Sequence, residues 1–391
     1  MKRNYLNYFV AISLSLILVF GAVTPVLAQD EGEGYDDPFE KFQQVLYMIK
    51  NYHVDEFDME TLLRGAIKGM LNEVDSFSSY MTPREYEEMQ TELEGRFGGI
   101  GIRITSRNDQ LTIISPIKGT PGEEVGLQAE DIITHIDGEP TEEMTQEEAV
   151  DRMRGEPGTE VELTIYREGE QEPLDFEITR DDIEIPYVES EMLEGNIAHI
   201  SVLEFGENVG EKVEKEIASL EEEGAEKIIL DLRSNPGGLL EEAVSVASNF
   251  FDEGRVVSVK QRQGEDEILR VSDDIDSVDM PLVVLINRGS ASASEIVAGA
   301  IKDRERGILI GDRTFGKGTV QRVIPLEDES AVRLTIARYY TPADNQIKED
   351  EGIEPDIKIE HGLESEEDKQ LQKAIEILKE GIYDEELEKA S

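Results

Sequence analysis

The feature that most constrains this chain is an alternation of short apolar runs with helical stretches in its second half. Strands that alternate with helices are typical of a largely parallel sheet, because each parallel connection has to cross over the sheet. The sequence therefore predicts an α/β core over residues 181–360. Its apolar runs are residues 197–202, 227–232, 282–286 and 308–310, and the helical stretches between them are 209–223 and 239–251.

Residues 97–180 have a different pattern, in which short apolar runs are interrupted by glycine and proline. This pattern is typical of a small β-rich domain, since strands of this length bounded by turn residues are its usual elements. A single helical stretch, 145–153, lies within it. The predicted strands are 99–104, 111–114, 131–136 and 161–166, and the domain is expected to end near Arg180.

Helical periodicity also marks both ends of the chain. Residues 39–52 and 59–73 repeat apolar side chains at helical spacing, and a third helix is predicted to begin at Thr82 with Pro83 in its first turn. We expect a helical N-terminal arm over residues 29–96 and one or two short packing helices in the tail, 361–391. The fold class predicted for the whole chain is multidomain α+β.

The first 28 residues are predicted to be an export signal. Lys2 and Arg3 precede an apolar stretch at 9–23, and small residues just before Gln29 offer a cleavage point. The alternative is an uncut segment, in which residues 4–28 attach the protein to a membrane, although the apolar stretch is shorter than the ~20 residues of a bilayer span. Both interpretations place the protein outside the cytoplasm, secreted or anchored to the outer face of the cytoplasmic membrane.

Charge and cysteine content exclude several classes of function. The chain has 38 Lys and Arg against 88 Asp and Glu, a net charge of −50, so nucleic acid is excluded as a partner. It has no cysteine, which removes disulfides, a thiol nucleophile and thiolate metal sites. The acidity is interpreted as a solvated surface suited to a salty medium. The alternative interpretation is a role in binding cations.

The stretch 286–296 carries the first chemical signal. An apolar strand runs into small residues around Ser292 and then into a helix, and backbone amides at a helix start favour developing negative charge. This arrangement suits a serine nucleophile. The alternative is structural, because Ser292 and Glu295 also fit a capping box and any serine here can cap the helix.

The second signal is Lys317, a single lysine between Gly316 and Gly318 after an apolar strand. Free lysine has a pKa of about 10.4, so a lysine that accepts a serine proton needs an apolar pocket that lowers its pKa. The alternative is a phosphate-binding or surface lysine, but the spacing of a nucleotide-binding loop is missing. The four histidines lie outside glycine-rich or strand-end settings, which disfavours a histidine-based triad.

Together, the sequences at 290–296 and 315–321 resemble the carboxy-terminal processing (tail-specific) proteases of the S41 class. In that family the middle serine is the nucleophile and a lysine 25 positions later is the base, which maps onto Ser292 and Lys317. A glutamine four residues after the lysine orients it, and this implies that role for Gln321. The resemblance also implies a crotonase-like α/β serine protease core, with no cofactor and no metal ion.

The family's Asp-Leu-Arg-x-Asn-x-Gly-Gly stretch corresponds to residues 231–238. The resemblance implies that the amides of Gly237, Gly238 and Ala293 form an oxyanion hole, with the donating glycine left open. The alternative is that the two glycines only permit the turn. Asp231 and Arg233 are expected to be structural.

The β-rich segment 97–180 resembles a PDZ domain, through its opening glycine loop and through residues 122–138. Such a loop can present free amides to a terminal carboxylate while the next strand pairs with an extended peptide. The implied peptide-binding residues are Gly98, Gly99, Ile100, Gly101 and Ile102. Arg154 is a further candidate contact, through which peptide binding would gate the catalytic site.

These resemblances imply a serine endopeptidase with a Ser/Lys dyad that cleaves exported proteins near their C-termini. Its implied partners are protein or peptide substrates with accessible C-terminal tails, and the terminal helices suggest a homodimer. The competing interpretation is a non-catalytic PDZ-containing scaffold that only binds peptides. Neither the physiological substrate nor the cleavage preference follows from the fold class, since one fold hosts many targets.

Overall fold

The computed structural model describes residues 37–107, 110–349, 351–359, 367–380 and 382–390. The predicted export signal lies outside these ranges. The chain groups into two compact units, Met1–Leu63 and Arg64–Ser391. The predicted helical arm is therefore divided, and its second part belongs to the same unit as the motifs at 290–296 and 315–321. In the described ranges, no helix combines the length and apolar character that a membrane crossing requires.

The first unit contains helix α1 (Pro38–Tyr52) and the beginning of α2 (Met59–Asn72). Asp37 caps α1, since its side chain accepts the Phe39 N–H at 2.9 Å, and Pro38 occupies the first turn. The two helices predicted at 39–52 and 59–73 are thus confirmed to within one residue. Several apolar side chains of α1 are exposed, among them Phe39 at 63% and Met48 at 54%.

The second unit begins with the rest of α2, followed by strand β1 (Ser79–Met81) and helix α3 (Pro83–Glu94). Between α2 and β1 the Asp75 carboxylate accepts the backbone N–H groups of Phe77 and Ser78, at 2.8 and 2.6 Å, and closes a tight turn. Thr82 and Glu85 form a capping box at the start of α3. The helix ends at Gly95, which has a left-handed backbone with φ +69°.

The β-rich segment forms a sheet in the order β3-β4-β5-β7-β8, with β6 paired to β5 and with β2 paired to β9 outside this sheet. The predicted strand 99–104 is two strands, because Gly101 turns the chain with φ +73° and approaches Thr120 so closely that a Cβ would lie 2.2 Å from its Oγ1. The elements are β2 (Arg96–Gly99), β3 (Ile102–Arg107), β4 (Gln110–Pro116), α4 (Pro121–Glu124), β5 (Ile132–Ile136), β6 (Glu139–Pro140), a 3₁₀ turn (Thr141–Glu143), α5 (Gln146–Met153), β7 (Glu160–Tyr166), β8 (Leu174–Thr179) and β9 (Asp181–Glu184).

The predicted α/β core is built on a six-stranded sheet in the order β10-β11-β12-β15-β16-β19, parallel except for the antiparallel pair β10–β11. Alternate residues of its strands face opposite layers. Ile228 and Leu230 pack into the main core, whereas Ile229 packs on the other face with Ala374 and Ile377 of the C-terminal tail. The strands are β10 (Val188–Leu193), β11 (Ile197–Val202), β12 (Lys227–Asp231), β15 (Leu282–Ile286), β16 (Ile308–Gly311) and β19 (Ile357–Lys358).

Five helices accompany this sheet, and one of them is shorter than predicted. The helix expected at 239–251 ends at Ser248, because Asn249 and Phe250 donate to carbonyls three residues back and tighten the chain into a turn. The tail forms two short helices, as predicted. The helices are α6 (Val209–Glu222), α7 (Leu240–Ser248), α8 (Ala293–Asp303), α9 (Lys369–Lys379) and α10 (Tyr383–Ala390).

A second core sheet has no counterpart in the sequence predictions. It runs β1-β18-β13-β14, with β17 also paired to β18, and all its pairings are antiparallel. Its strands mix charged and apolar residues, so they lack the continuous apolar runs that mark the parallel sheet. They are β13 (Arg255–Gln261), β14 (Glu267–Arg270), β17 (Thr319–Pro325) and β18 (Ala331–Tyr340). With these sheets the multidomain α+β class is confirmed.

Candidate active site

Ser292 lies between β15 and α8 with a strained backbone, φ +54° and ψ −110°, which a serine rarely adopts. The two neighbouring serines are engaged elsewhere. Ser290 Oγ donates to the Leu232 carbonyl at 2.7 Å, and Ser294 Oγ donates to the Asn235 carbonyl at 3.0 Å. Of these three serines, Ser292 is the one that lines the large cavity of the core.

The Ser292 side chain lies beside the hydroxyl of Tyr339, a residue of β18 for which the sequence predicted no role. Tyr339 is only 4% exposed, and burial raises the pKa of its hydroxyl to about 12, although the neighbouring Ser292 side chain opposes this shift. The phenol is therefore neutral at physiological pH. In the sequence, Tyr339 is marked only by an aromatic pair near the end of the core, and such a pair does not by itself indicate a catalytic role.

Glu295, fully buried on the first turn of α8, connects the serine loop to the lysine loop. One half of the predicted capping box is present, since Glu295 accepts the Ser292 N–H. Burial raises the pKa of this carboxyl, and its hydrogen bonds partly offset that effect. Its donors are Ser292 N at 2.9 Å, Thr314 Oγ1 at 2.6 Å, Gly316 N at 2.7 Å and Lys317 N at 2.8 Å.

Lys317 is half-buried in the same cavity as Ser292. Burial, and then the positive charge of Arg333, lower the pKa of its ammonium, while Glu295 acts in the opposite direction. Its Nζ lies 5.4 Å from the centroid of the Phe77 ring, which the Asp75 turn presents. Across the described ranges no hydrogen bond joins Lys317 Nζ to Ser292 Oγ.

The glycine loop after β12 approaches Ser292 closely. A Cβ on Gly237 would lie 2.7 Å from the Cβ of Ser292, so this position requires glycine. Its N–H is already used, since it donates to the Asn235 side chain at 2.8 Å. The amides of Gly238 and Ala293 have no acceptor among the residues that the structure describes. Because the Gly237 N–H is already hydrogen-bonded, it is a poor candidate for the predicted oxyanion donor. Gly238 and Ala293 remain as candidate donors to the oxyanion.

A buried ionic network fixes the start of this loop. Arg233 forms an ion pair with Asp231 at 2.6 Å and another with Asp368, at the start of α9, at 2.8 Å. His199 Nε2 lies 3.4 Å from Asp231. These contacts support the structural roles predicted for Asp231 and Arg233, because they connect the glycine loop to the C-terminal helices.

Gln321 lines the cavity on β17, but no hydrogen bond connects it to Lys317 in the described part of the chain. The role predicted for Gln321 in orienting the lysine therefore stays a prediction. Its Nε2 is buried without a partner, as are Thr319 Oγ1 and Arg333 Nε nearby. Buried donors are rarely left unpaired in folded proteins. Because these atoms are enclosed, a ligand in the cavity can bond with them only after their side chains turn toward it.

The cavity has a volume of about 1200 Å³ and brings together residues from α2, α3, the glycine loop and the antiparallel core sheet. An elongated peptide segment fits such a volume. One part of its wall carries carboxylates from α3, from the loop after β11 and from α7. The candidate catalytic residues that line it are Gly238, Ser292, Lys317, Gln321 and Tyr339, and Gly237 lines it beside them.

The predicted peptide loop of the β-rich domain is divided between two environments. Gly98 and Gly99 belong to β2 and pair with β9, whereas Ile100 and Gly101 form the turn and Ile102 starts β3. Strand β3 lies at the edge of its sheet and pairs only with β4 within the described residues. An extended peptide can add to such an edge.

Arg154, at the end of α5, stacks on the same loop. Its Cζ lies 4.8 Å from the centroid of the Phe97 ring, and its buried Nε has no hydrogen-bond partner in the described ranges. This guanidinium is therefore beside the predicted peptide loop and retains an unused donor.

Comparison with protein families gives three matches along the chain. The model of peptidase family S41 matches residues 196–359, the PDZ domain model matches 89–166, and the model of the activating protease CtpB N-terminal domain matches 23–84. The S41 match contains Ser292, Lys317 and the glycine loop, and the PDZ match contains β3 and α5.

Curated relatives match over most of their length. The carboxy-terminal-processing protease of Bartonella bacilliformis is 39% identical over 365 residues, which cover 91% of this chain and 82% of that protein. The carboxy-terminal processing protease CtpA of Bacillus subtilis is 35% identical over 367 residues, covering 92% and 78%. Among solved structures, the photosystem II D1 C-terminal processing protease is 28% identical with a TM-score of 0.50, covering 86% of this chain and 90% of that one.

Proposed function

Because the chain belongs to the carboxy-terminal-processing serine proteases of peptidase family S41, we propose that Ser292 and Lys317 form its catalytic dyad. The family resemblance noted from the motifs is confirmed by the S41 match and by the identity to the Bartonella relative. The observation that carries the proposal is the position of Lys317. It is half-buried in the cavity that Ser292 lines, and burial lowers its pKa toward the range of a general base.

In the proposed reaction, Ser292 Oγ attacks a peptide carbonyl while Lys317 Nζ takes its proton. The oxyanion of the tetrahedral intermediate accepts the N–H groups of Gly238 and Ala293. Lys317 then protonates the leaving amine, and the acyl-enzyme is hydrolysed by water with Lys317 again acting as base. Each proton that Lys317 accepts is returned, so the enzyme is unchanged at the end of the cycle.

The dyad requires a small rearrangement before it can act. The Ser292 side chain lies beside Tyr339, and Lys317 Nζ lies 5.4 Å from the centroid of the Phe77 ring, with no hydrogen bond to Ser292 Oγ in the described ranges. Proton transfer needs a distance of about 2.6–3.2 Å, which often forms only once the substrate is bound. We propose that substrate binding brings Lys317 Nζ to Ser292 Oγ.

For the substrate, we propose a protein with an accessible C-terminal tail that adds as a strand to β3 and places its carboxylate at the turn of Ile100 and Gly101. The open edge of β3 supports this mode of binding. The unpartnered donors of Gln321 and Thr319 support capture of the substrate main chain near the dyad. With the export signal predicted at the N-terminus, the substrates are exported proteins.

The direct test is hydrolysis of an unstructured exported protein with an apolar C-terminal tail. We expect cleavage by the wild type and a loss of at least 10³-fold in kcat/KM for Ser292→Ala and Lys317→Ala. Matched controls are Ser219→Ala and Lys373→Ala, both away from the cavity. Equal cleavage by wild type and both dyad variants would reject the dyad.

The competing function, a non-catalytic scaffold that binds peptides, predicts tail binding without any cleavage. Binding of the same tail to Ser292→Ala, with no hydrolysis by the wild type, supports that alternative. A gating role for Arg154 is tested separately. If Arg154→Ala leaves activation by a tail peptide unchanged, the proposed gate is wrong.

We also propose that the protein is a homodimer and that the exposed apolar side chains of α1 contribute to the contact. Val45, Tyr47 and Met48 are each about half exposed or more, which is costly for a helix in water. Light scattering of the wild type and of Val45→Glu tests this proposal. If the variant keeps the mass of a dimer, α1 is not part of the interface. If the wild type has the mass of a monomer, the homodimer proposal is wrong.

A further inference from the structure

The turn between α2 and β1 places the half-buried ring of Phe77 next to Lys317. The distance from Lys317 Nζ to the centroid of this ring is 5.4 Å. An ammonium group within about 6 Å of a ring face is attracted to it. Across the described ranges, Lys317 Nζ has no hydrogen bond and no ion pair. The ring is therefore the favourable contact that the structure gives to this ammonium.

The turn that carries Phe77 is fixed at both ends. The Asp75 carboxylate accepts the N–H groups of Phe77 and Ser78, and it also accepts the Ser78 hydroxyl at 3.0 Å. Ser78 is 2% exposed, and its Oγ accepts the N–H of Thr335 on β18 at 3.2 Å. Strand β1, which follows, pairs with the same β18. Because β18 also lines the cavity, the ring is held in place relative to the proposed active site.

Phe77 contacts the lysine from outside the substrate cavity. Among the described residues, Lys317 and Ser292 line the cavity, whereas Phe77 does not. A peptide in the cavity therefore meets the lysine and not the ring. Phe77 can affect the reaction only through Lys317, which makes it a positioning residue and not a catalytic one.

The ring distinguishes the two protonation states of Lys317. The negative face of an aromatic ring attracts an ammonium group, but it has no comparable attraction for a neutral amine. Burial and the charge of Arg333 act in the opposite direction, because both favour loss of the proton. The protonated lysine is thus held over the ring. Once its proton has passed to solvent, the neutral amine is no longer held there.

We propose that Phe77 is a positioning residue of the dyad, whose ring holds protonated Lys317 apart from Ser292 and releases it when the proton is lost. The inference rests on the proposed dyad and deepens it, since it names the group that controls the base. In the resting protein the lysine is protonated and away from the serine. The dyad then assembles only with the neutral amine, which is the form that can accept the serine proton.

Other charged groups also act on Lys317. Arg333 of β18 and Glu295 of α8 change its pKa in opposite directions. Tyr339 is neutral, because burial raises its pKa to about 12. Burial also raises the pKa of Asp75, but the hydrogen bonds of the turn outweigh it and the net direction is downward. Further titratable side chains that line the cavity on neighbouring elements are Lys68 on α2, Tyr80 on β1, Glu85 on α3 and Arg322 on β17.

The first test is the pH dependence of kcat/KM in Phe77→Leu, with a peptide that has no titratable group. Leucine keeps an apolar side chain beside the lysine and removes the ring face. We expect the ascending limb to move to lower pH by about 0.5–1 unit, because the ammonium loses its attraction. The plateau should stay within about threefold of the wild type. Ser76→Ala, an exposed position of the same turn, is the control and should leave the limb unmoved.

A variant with 3,4,5-trifluorophenylalanine at position 77 separates ring charge from packing. Fluorine keeps the shape of the ring and weakens its negative face, so we expect a shift in the same direction. A limb that moves to higher pH in Phe77→Leu would overturn the proposal, because the ring would then act by excluding water. An unmoved limb with a lower plateau or a lower melting temperature would also overturn it, since the ring would then only support packing.

The pKa of Lys317 can also be read without catalysis. Competitive labelling with acetic anhydride across pH, followed by mass spectrometry of the peptide that contains Lys317, gives this pKa in Ser292→Ala. We expect a lower value in the double variant Ser292→Ala, Phe77→Leu. Such a fall supports the inference even if the wild type cleaves no peptide, so failure of the protease proposal remains distinguishable. The same pKa with and without the ring would overturn the inference.

Discussion

The Glu295 carboxylate accepts the backbone N–H of Lys317 at 2.8 Å, although the two residues are 22 positions apart in the chain. The same oxygen accepts the Ser292 N–H at 2.9 Å. One buried side chain thus holds the backbones of the proposed nucleophile and the proposed base. Because α8 carries Glu295 in its first turn, the serine loop and the lysine loop are positioned by a single rigid element.

Replacing Glu295 with glutamine is expected to reduce both activity and stability. Each of the two carboxylate oxygens accepts hydrogen bonds from two donors. In the glutamine variant an NH₂ group replaces one of these oxygens, so two donors would face another donor. An unsatisfied buried donor costs about 1–3 kcal/mol. We expect a clear fall in the melting temperature and at least a hundredfold loss of kcat/KM. Glu305→Gln, an exposed position just beyond the end of α8, is the control, and full activity in Glu295→Gln would contradict the prediction.

The pH dependence of activity should follow Lys317. Its pKa is lowered mainly by burial and further by Arg333, so kcat/KM for a neutral peptide should rise with pH and level off below the ordinary lysine range. Arg333→Gln removes a positive charge and is expected to raise the pKa of Lys317. The ascending limb should therefore move to higher pH. A shift to lower pH would contradict this electrostatic account.

Tyr339→Phe tests the contact between the serine and the phenol. The variant keeps the buried ring and removes the hydroxyl that lies beside the Ser292 side chain. A neutral hydrogen bond contributes about 1 kcal/mol, which corresponds to a five- to tenfold change in rate. We expect kcat to change by about this factor with little change in melting temperature. Tyr340→Phe, next to it in the chain, is the control, and an equal effect there would show that the ring packing is responsible.

Stability should depend on the protonation of His199. Burial lowers the pKa of this imidazole, but hydrogen bonds to Asp231 and Glu191 outweigh it, and the net direction is upward. A raised pKa contributes stability that is present below the unfolded value of about 6.5 and is lost as pH rises through the folded value. The melting temperature should therefore fall across this window. His199→Gln should flatten the dependence, and the same slope in the variant would exclude His199 as its source.

Local signals in the sequence were sufficient for much of the fold. The parallel strands and their helices were predicted because apolar runs and helical periodicity depend only on neighbouring residues. Caps such as that of Thr82 depend on residues within a few positions. The turn at Gly101 was not predicted, because its close approach to Thr120 joins residues that are remote in the chain. The antiparallel sheet of β13, β14, β17 and β18 was not predicted, because its mixed strands are recognisable only once their partners are known.

At the proposed active site, the sequence by itself determined the residue types and their spacing: Ser292 before a helix start, Lys317 between two glycines, and a glycine loop after a strand. Only the tertiary structure decided which groups meet. In the folded chain, the hydroxyls of Ser290 and Ser294 donate to backbone carbonyls, and the Gly237 N–H donates to Asn235. Tyr339 lies beside Ser292, and Glu204 lines the cavity. The physical reason is that hydrogen bonding and burial depend on distances in space between segments that are remote in the chain.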